Sequence, residues 1–185
     1  LKYNLVIAAT AEEEISGNNG IEAVLKNPYF MEPFAGSEIN CAIVGEPTQM
    51  QMAVAERGLM VIDAVAEGRA GHAARNEGEN AIYKAMQDIA WIKGFNFEKI
   101  SALLGPSTMS VTVIETENKA HNVVPAQCRF VIDVRVNEYY GFEEILDEMR
   151  KNMLSEISPR TTRLRSTSIS TDHPLVQAGI ALGRT

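Results

Sequence analysis

The sequence is short of the residues that most often form disulfide bridges or bind zinc. It contains two cysteines and three histidines among 185 residues. Cys41 and Cys128 lie far apart in the sequence, which argues against a disulfide framework or a zinc knuckle. We expect both to be reduced, buried thiols of a cytoplasmic protein. No two histidines have HxxH or HxxxH spacing, so the chain by itself offers too few nitrogen ligands for an obvious zinc site.

Two further absences limit the possible partners. The chain has 17 basic and 24 acidic side chains, a net charge of −7, and no basic stripe, so we expect no nucleic-acid partner. Its longest apolar runs have the length of strands, far below the roughly 20 residues of a membrane helix, so we expect no membrane partner. The chain begins at Leu1 within a strand pattern and ends within a helix pattern, and we expect it to be a fragment.

The first fifty residues contain two fully apolar runs. These are LVIAA at residues 5–9 and CAIV at residues 41–44, and both are typical of parallel strands covered on two faces. A helical pattern at residues 21–25 lies between them, with Asn18 or Asn19 as a possible N-cap. This order predicts a parallel α/β unit with its acidic residues at the carboxyl edge, where such sheets bind ligands.

From about residue 53 to residue 171 the strands have one apolar face, and helices alternate with them. The order β-α-β-β-α-β is the ferredoxin-like arrangement, which predicts a four-stranded antiparallel sheet with both helices on one face. The last strand is expected within residues 161–170. The residues expected to face the core are Met60, Ile62, Ala64, Ala66, Ile82, Ala85, Met86, Ile89, Ala90, Cys128, Phe130, Ile132, Val134, Val136, Phe142, Ile145, Leu146, Met149 and Met153.

Acidic side chains follow both apolar runs of the first segment. Glu12, Glu13 and Glu14 have two interpretations: a solvated first turn of a helix, favoured by the helix dipole, or a metal site in which one carboxylate is a ligand and its neighbour a general base. Glu46 precedes Pro47, which is compatible with a plain turn. Its position at the same predicted sheet edge favours the metal site.

Three other residues have a structural and a functional interpretation. His72, between a strand end and a helix start, is either an ordinary polar surface or capping residue or, because its small neighbours leave it accessible, a residue for catalysis or ligand contact. The structural interpretation of Asn122 is a turn amide at a strand entry, and its functional interpretation comes only with the resemblance to a known family. Arg135, on the polar face of a strand, is either a cross-strand ion-pair member or a group that binds a substrate carboxylate bidentately.

The motifs in this order resemble the zinc-dependent exopeptidase and deacylase family. The stretches that carry the resemblance are ATAEEEISGNNGIEAVL, CAIVGEPTQMQ, ERGLMVIDAVAEGRAGHAA, GENAI and HNVVPAQCRFVIDVR. The family includes acetylornithine deacetylase, succinyl-diaminopimelate desuccinylase and glutamate carboxypeptidase, and the chain resembles the first of these most. The resemblance implies a partial α/β catalytic domain (residues 1–52 and 172–185) that carries a ferredoxin-like lid and dimerisation domain (residues 53–171).

The resemblance also implies a role for each candidate residue. Glu13 would be the catalytic general base, and Glu14 and Glu46 would be metal ligands. His72 would reach the active site of a second subunit and stabilise the oxyanion. The substrate contacts expected on the lid are Asn122 and Arg135. Two zinc ions, or cobalt, are expected per complete subunit, with other ligands that lie upstream of Leu1 and downstream of Thr185.

The expected activity is hydrolysis of an N-acylated amino acid by a homodimer, with N-acetylornithine deacetylation in arginine biosynthesis as the leading reaction. The alternatives within the family are a desuccinylase and a dipeptidase. A non-catalytic dimerisation and lid module is an alternative of another class. A glycosidase with Glu13 and Glu46 as its two carboxylates has little support, because aromatic side chains for a sugar platform make up only 6% of the chain.

Overall fold

A computed structural model describes residues 5–12, 17, 19–34, 39–49 and 51–183. The chain divides into two compact units, Leu1–Pro47 and Thr48–Thr185. Among the described residues, no helix is long and apolar enough to cross a membrane.

The first unit contains short helices. Its elements are α1 (Ile21–Lys26), α2 (Pro28–Met31) and a 3-10 helix at Glu32–Phe34. The predicted helix is therefore present, but the N-cap is Gly20, which makes no side-chain capping bond. Asn19, one of the two predicted caps, instead donates its backbone N–H and its Nδ2 to the Glu12 carboxylate, at 2.9 and 3.0 Å.

The prediction of two buried parallel strands in this unit is wrong for the described residues. Residues 5–10 and 39–47 belong to no strand, and Ile7 and Ile43 are 88% and 81% exposed. Cys41, expected to be buried, is exposed as well. An apolar run becomes a buried strand only where other strands satisfy its backbone and helices cover both faces. The described residues of this unit supply neither.

The second unit contains eight strands and three helices among the described residues. Its strands are β1 (Ala55–Glu56), β2 (Gly58–Glu67), β3 (Gly71–His72), β4 (Thr108–Glu115), β5 (Val123–Val124), β6 (Gln127–Val136), β7 (Glu156–Pro159) and β8 (Thr167–Ser168). Its helices are α3 (Ala81–Gly94), α4 (Phe142–Asn152) and α5 (Pro174–Leu182), with a 3-10 turn at Ala73–Arg75.

Four of these strands form one antiparallel sheet in the order β4-β6-β2-β7, and β1-β8 and β3-β5 are separate two-stranded ribbons. Strands β2 and β6 pair along their whole length, from Gly58↔Val136 to Glu67↔Gln127. With α3 between β2 and β4, and α4 between β6 and β7, the unit is an α+β fold. The predicted four-stranded antiparallel sheet is confirmed.

The core of the sheet follows the period of two that the sequence predicted. The alternate residues of β2 from Met60 to Ala66, and those of β6 from Cys128 to Val136, are buried. The predicted face of α4 is buried too. The acidic first turn and the basic last turn of this helix interact favourably with the helix dipole. These predictions held because each strand has one face toward the helices and one away from them.

The predicted apolar stripe of α3 is only partly correct. The buried residues are Ala81, Ala85, Asp88 and Ile92, whereas Met86 is 56% exposed and Ala90 is exposed. The helix is rotated relative to the predicted stripe, and its buried face includes Asp88, whose carboxylate accepts the N–H groups of Leu154 and Ser155 at 2.8 and 2.9 Å.

The last strand of the sheet was also misplaced in the prediction. It is β7, at Glu156–Pro159, and not within residues 161–170. The latter segment contributes only β8, which pairs with β1. Strand β7 is short and ends in proline, features that are common at a sheet edge but give a weak pattern in the sequence.

Candidate functional site

Two of the predicted site residues lie at the β3-β5 ribbon, His72 within β3 and Asn122 directly before β5. His72 pairs with Val123, and Gly71 pairs with Val124. The N–H of Ala73 donates to the carbonyl oxygen of Asn122 at 3.0 Å. His72 and Asn122, which are fifty residues apart in sequence, are therefore brought close together in the backbone of this ribbon.

The imidazole of His72 has a defined orientation. It caps the 3-10 turn at Ala73–Arg75, and its Nδ1 accepts the N–H of Ala74 at 3.2 Å. Because Nδ1 is the acceptor, the neutral ring carries its hydrogen on Nε2. The side chain is half-buried, so this Nε2–H is a candidate donor to a ligand oxygen.

Two glycines allow the ribbon to pack against the segment that follows it. A Cβ atom at Gly71 would lie 2.3 Å from the carbonyl of Glu77, and Gly78 has φ of +91°. Both requirements exclude most side chains. Arg69 and Glu79 exchange two backbone hydrogen bonds of 2.8 Å, which hold together the two ends of the segment that contains His72.

Arg135 lies at the other end of the sheet. The ribbon continues from the end where Glu67 pairs with Gln127, whereas Arg135 pairs with Leu59. Arg135 is eight residues further along β6 than Gln127, which corresponds to roughly 26 Å at about 3.3 Å per residue. A single copy of the chain therefore does not bring Arg135 together with His72 and Asn122.

The guanidinium of Arg135 is bound bidentately within its own strand. Its Nε and an Nη donate to the two carboxylate oxygens of Asp133 at 2.8 and 3.0 Å. These hydrogen bonds raise the pKa of Arg135 above its ordinary value. The structure thus shows an ion pair along one strand, a variant of the structural interpretation, and the side chain keeps enough exposure for a ligand to compete with Asp133.

The acidic candidates belong to the first unit. Glu13 and Glu14 lie outside the described residues, and Glu46 is exposed. Hydrogen bonds from the side chain and backbone of Asn19 lower the pKa of Glu12. The carboxylate of Glu12 therefore organises its own loop, which is a local structural role.

The described residues alone do not form a zinc site. Among residues 5–12, 17, 19–34, 39–49 and 51–183, no three His, Cys, Asp or Glu side chains are grouped closely enough to hold a metal ion. Glu46 offers one exposed carboxylate, and a structural or catalytic zinc site needs three or four protein ligands. No catalytic step through zinc follows from these residues.

Sequence reasoning missed one residue next to the candidate site, Asn118. Its Nδ2 donates to the carbonyl oxygen of Val123 at 2.5 Å, and its Oδ1 accepts the N–H of Ala120 at 2.9 Å. The available signal was an Asn within the polar run before the NVVP motif, a residue that favours turns by bonding to nearby backbone.

Comparison with known proteins identifies the family of the second unit. The model of the peptidase dimerisation domain (M20_dimer) matches residues 54–161, which is more than half of the chain. The matched range contains the whole four-stranded sheet, α3, α4 and the β3-β5 ribbon. His72, Asn122 and Arg135 all lie within it.

Curated relatives extend the similarity beyond that range. The chain is 29% identical over 153 residues to succinyl-diaminopimelate desuccinylase 2 of Ruegeria sp. (strain TM1040), covering 77% of this chain and 37% of the relative. It is 28% identical over 163 residues to the succinyl-diaminopimelate desuccinylase of Dinoroseobacter shibae, covering 85% and 42%. The chain thus spans about two-fifths of the length of these relatives.

Solved structures support the fold. A tripeptidase from Staphylococcus aureus matches with a TM-score of 0.52 at 18% identity, covering 69% of this chain and 35% of that protein. The aminopeptidase PepT from Bacillus cereus matches with a TM-score of 0.51 at 19% identity, covering 72% and 38%. At these identities the likeness concerns the fold alone.

Proposed function

The chain belongs to the family of peptidase dimerisation domains, and we propose that it forms a homodimer that serves the metal-dependent hydrolysis of an N-acylated amino acid. The catalytic machinery would be complete only in a longer polypeptide that contains this chain. The observation that carries the proposal is that His72 and Asn122 lie at one end of the sheet and Arg135 lies at the other. A second copy of the chain would bring the two ends together in one site.

His72 and Asn122 lie beyond the end of β6 that begins at Gln127, and Arg135 lies roughly 26 Å from Gln127 along β6, by the rise of about 3.3 Å per residue. A small amino-acid derivative cannot span that distance. If all three side chains contact one substrate, His72 and Asn122 come from one copy and Arg135 from the other. A dimer with two-fold symmetry would form two such composite sites.

The edge strand β4 is the surface that we assign to dimerisation. It lies at one end of the sheet order, so among the described residues one side of its backbone has no strand partner. Val113 and Ile114 on this strand are 48% and 53% exposed, and no charged residue precedes Glu115 to discourage pairing. Pairing of β4 with its copy across a two-fold axis would satisfy this backbone.

Helix α3 extends the same surface. It packs against β2, β4 and β6, and its outward residues Tyr83, Met86 and Ala90 recur at i, i+3 and i+7 and are exposed. An apolar stripe that faces water next to an unpaired strand fits contact with an identical surface. This contact would explain why Met86 and Ala90 of the predicted α3 stripe are exposed.

The dimer can be tested with one substitution on the edge strand and one matched control. Val113→Lys should weaken self-association at least tenfold, because each symmetric interface receives two charges. Val44→Lys changes a more exposed valine of the first unit and should leave the association unchanged. Sedimentation equilibrium of the chain measures both. A wild-type chain that is monomeric at all concentrations would refute the homodimer.

In the proposed reaction, the Nε2–H of His72 donates to the oxyanion that forms when the amide carbonyl is attacked. Arg135 exchanges Asp133 for a carboxylate of the substrate, and Asn122 donates its side-chain amide to the substrate. Glu13 as general base, and Glu14 and Glu46 as ligands of zinc or cobalt, stay predictions from the family resemblance. The remaining ligands would come from other parts of the polypeptide.

The substrate that we favour is N-succinyl-diaminopimelate. The two relatives described above are named desuccinylases of that compound, which also suggests a role in lysine biosynthesis. N-acetylornithine, with a role in arginine biosynthesis, is the second candidate because of the resemblance of the sequence motifs. Both are small amino acids with an N-acyl amide, and they differ in the charge of the acyl group.

An activity assay needs the longer polypeptide, with both substrates offered in parallel. His72→Ala should reduce kcat about 100- to 1000-fold, the usual cost of a lost oxyanion donor. His121→Ala changes an exposed histidine and serves as the matched control, with activity expected within about twofold of wild type. Full activity after chelation and metal removal would refute the metal-dependent reaction.

A dimerisation and lid module without turnover is the second candidate. It is favoured by the absence of a metal-ligand cluster among the described residues. In that case the chain dimerises but the longer polypeptide hydrolyses neither substrate with zinc or cobalt present.

We further assign residues 53–171 to a ferredoxin-like lid, residues 1–52 and 172–185 to a partial catalytic domain, and the protein to the cytoplasm.

A further inference from the structure

We propose that Asn118 is a positioning residue that fixes the β3-β5 ribbon and thereby sets the orientation of His72 and Asn122. The inference rests on the proposed function only for its catalytic consequence. The structural consequence concerns this chain alone and can be measured without any substrate.

Asn118 closes the connection between β4 and β5 from the inside. Its Nδ2 donates to the carbonyl oxygen of Val123, five residues ahead, at 2.5 Å. Its Oδ1 accepts the N–H of Ala120, two residues ahead, at 2.9 Å. One amide side chain thus bonds both the middle of this loop and the first residue of β5.

The start of the loop is itself anchored to the main sheet. The hydroxyl of Thr116 donates to the carbonyl oxygen of Gln127 at 3.0 Å and accepts the N–H of Asn118 at 3.4 Å. Asn118 therefore connects a fixed point on β6 to Val123 on β5.

Val123 transmits this constraint to the candidate site. It is the pairing partner of His72 and directly follows Asn122, whose carbonyl oxygen accepts the N–H of Ala73. The ribbon has only two residues in each strand, too few to hold its register by itself. The support from Asn118 is therefore significant for the direction in which the His72 ring points.

The position requires an amide for a chemical reason. Asparagine supplies a donor to Val123 and an acceptor to Ala120 at once, whereas aspartate supplies only acceptors and alanine neither. Asn118→Asp therefore breaks the bond to the ribbon and keeps the bond within the loop. The two variants separate the role of Asn118 in the ribbon from its role in the local turn.

The first experiment measures amide hydrogen exchange in this chain. The Ala73 N–H should exchange at least about tenfold faster in Asn118→Ala and in Asn118→Asp, a factor that corresponds to about 1.4 kcal/mol. The Ala120 N–H should lose protection only in Asn118→Ala. Asn96→Ala removes a comparable bond, from Nδ2 to the carbonyl of Gly94, and should leave Ala73 unchanged. Unchanged exchange at Ala73 in both Asn118 variants would overturn the proposal.

The second experiment is a double-mutant cycle in the longer polypeptide. If Asn118 acts through His72, Asn118→Ala should lower kcat about tenfold with KM within twofold, and should cause no further loss in a His72→Ala background. An additive loss would reduce Asn118 to a general structural role. If no substrate is turned over, the proposed function fails, while the exchange experiment still decides whether Asn118 positions the ribbon.

Discussion

Both units of the chain contain apolar patterns typical of strands, continuous in the first unit and alternating in the second, and their outcomes are opposite. In Thr48–Thr185, the alternating residues of β2 and β6 are buried in an antiparallel sheet. In Leu1–Pro47, the described residues of the runs LVIAA and CAIV belong to no strand and expose their side chains. The two units differ in whether other strands pair with the apolar segment and helices cover it, and those strands and helices come from elsewhere in the chain. An apolar run can be buried, but it is buried only where neighbouring elements pack against it.

The largest expected effect compares one isoleucine from each unit. Ile132→Ala removes a fully buried side chain from β6 and should lower the free energy of unfolding by about 2–5 kcal/mol. Ile43→Ala changes an isoleucine that is 81% exposed and should change it by less than about 0.5 kcal/mol. Urea unfolding followed by circular dichroism measures both. A comparable loss in Ile43→Ala would mean that Ile43 is buried in solution, which would contradict the difference in burial between the two units.

A smaller effect compares two carboxylates that bind backbone N–H groups. Asp88 does so while buried, and Asp88→Ala would leave the N–H groups of Leu154 and Ser155 without their acceptor. The expected loss is about 2–3 kcal/mol. Glu12 binds the N–H of Asn19 in an exposed loop, so Glu12→Ala should leave the same transition unchanged.

The fluorescence of Trp91, the single tryptophan of the chain, reports the unfolding of the second unit in the Asp88 experiment. Trp91 packs against the core that α3 covers. A midpoint for Asp88→Ala equal to that of the wild type would show that Leu154 and Ser155 find water as an alternative partner.

The smallest effect concerns pH. Arg160 donates two hydrogen bonds to Asp63, at 2.9 and 2.7 Å, and lowers the pKa of Asp63 below its ordinary value of 3.8. A lowered carboxyl pKa stabilises the fold above that ordinary value, and the contribution is lost as the pH falls through the folded-state pKa. Because both side chains are about half exposed, we expect at most about 1 kcal/mol.

The measurement is the difference in unfolding free energy between the wild type and Asp63→Asn, taken from pH 7 to pH 2. It should shrink below about pH 4 and with added salt. Glu12→Gln should show no such dependence in the second unit, because the bonds of Glu12 connect residues only seven apart. A difference that is constant across this range would contradict the assignment to the ion pair.

The successes of the sequence analysis share one physical cause. The period of two in β6 and the helical period in α4 place the apolar side chains of the core on one face, and those faces were predicted residue by residue. Helix α3 departed from its pattern at Asp88, because the donors that allow a carboxylate to be buried come from residues 154 and 155. A local pattern does not contain such distant partners.

The sequence by itself determined the buried faces of β2, β6 and α4, and it named His72, Asn122 and Arg135 as candidates. Only the tertiary structure decided that His72 and Asn122 lie at one ribbon, that Asn118 donates a hydrogen bond to this ribbon, and that Arg135 lies at the far end of the sheet. Periodicity is a property of neighbouring residues, so it can be read locally. The meeting of residues fifty positions apart depends on strand order and register, which arise when the whole sheet assembles.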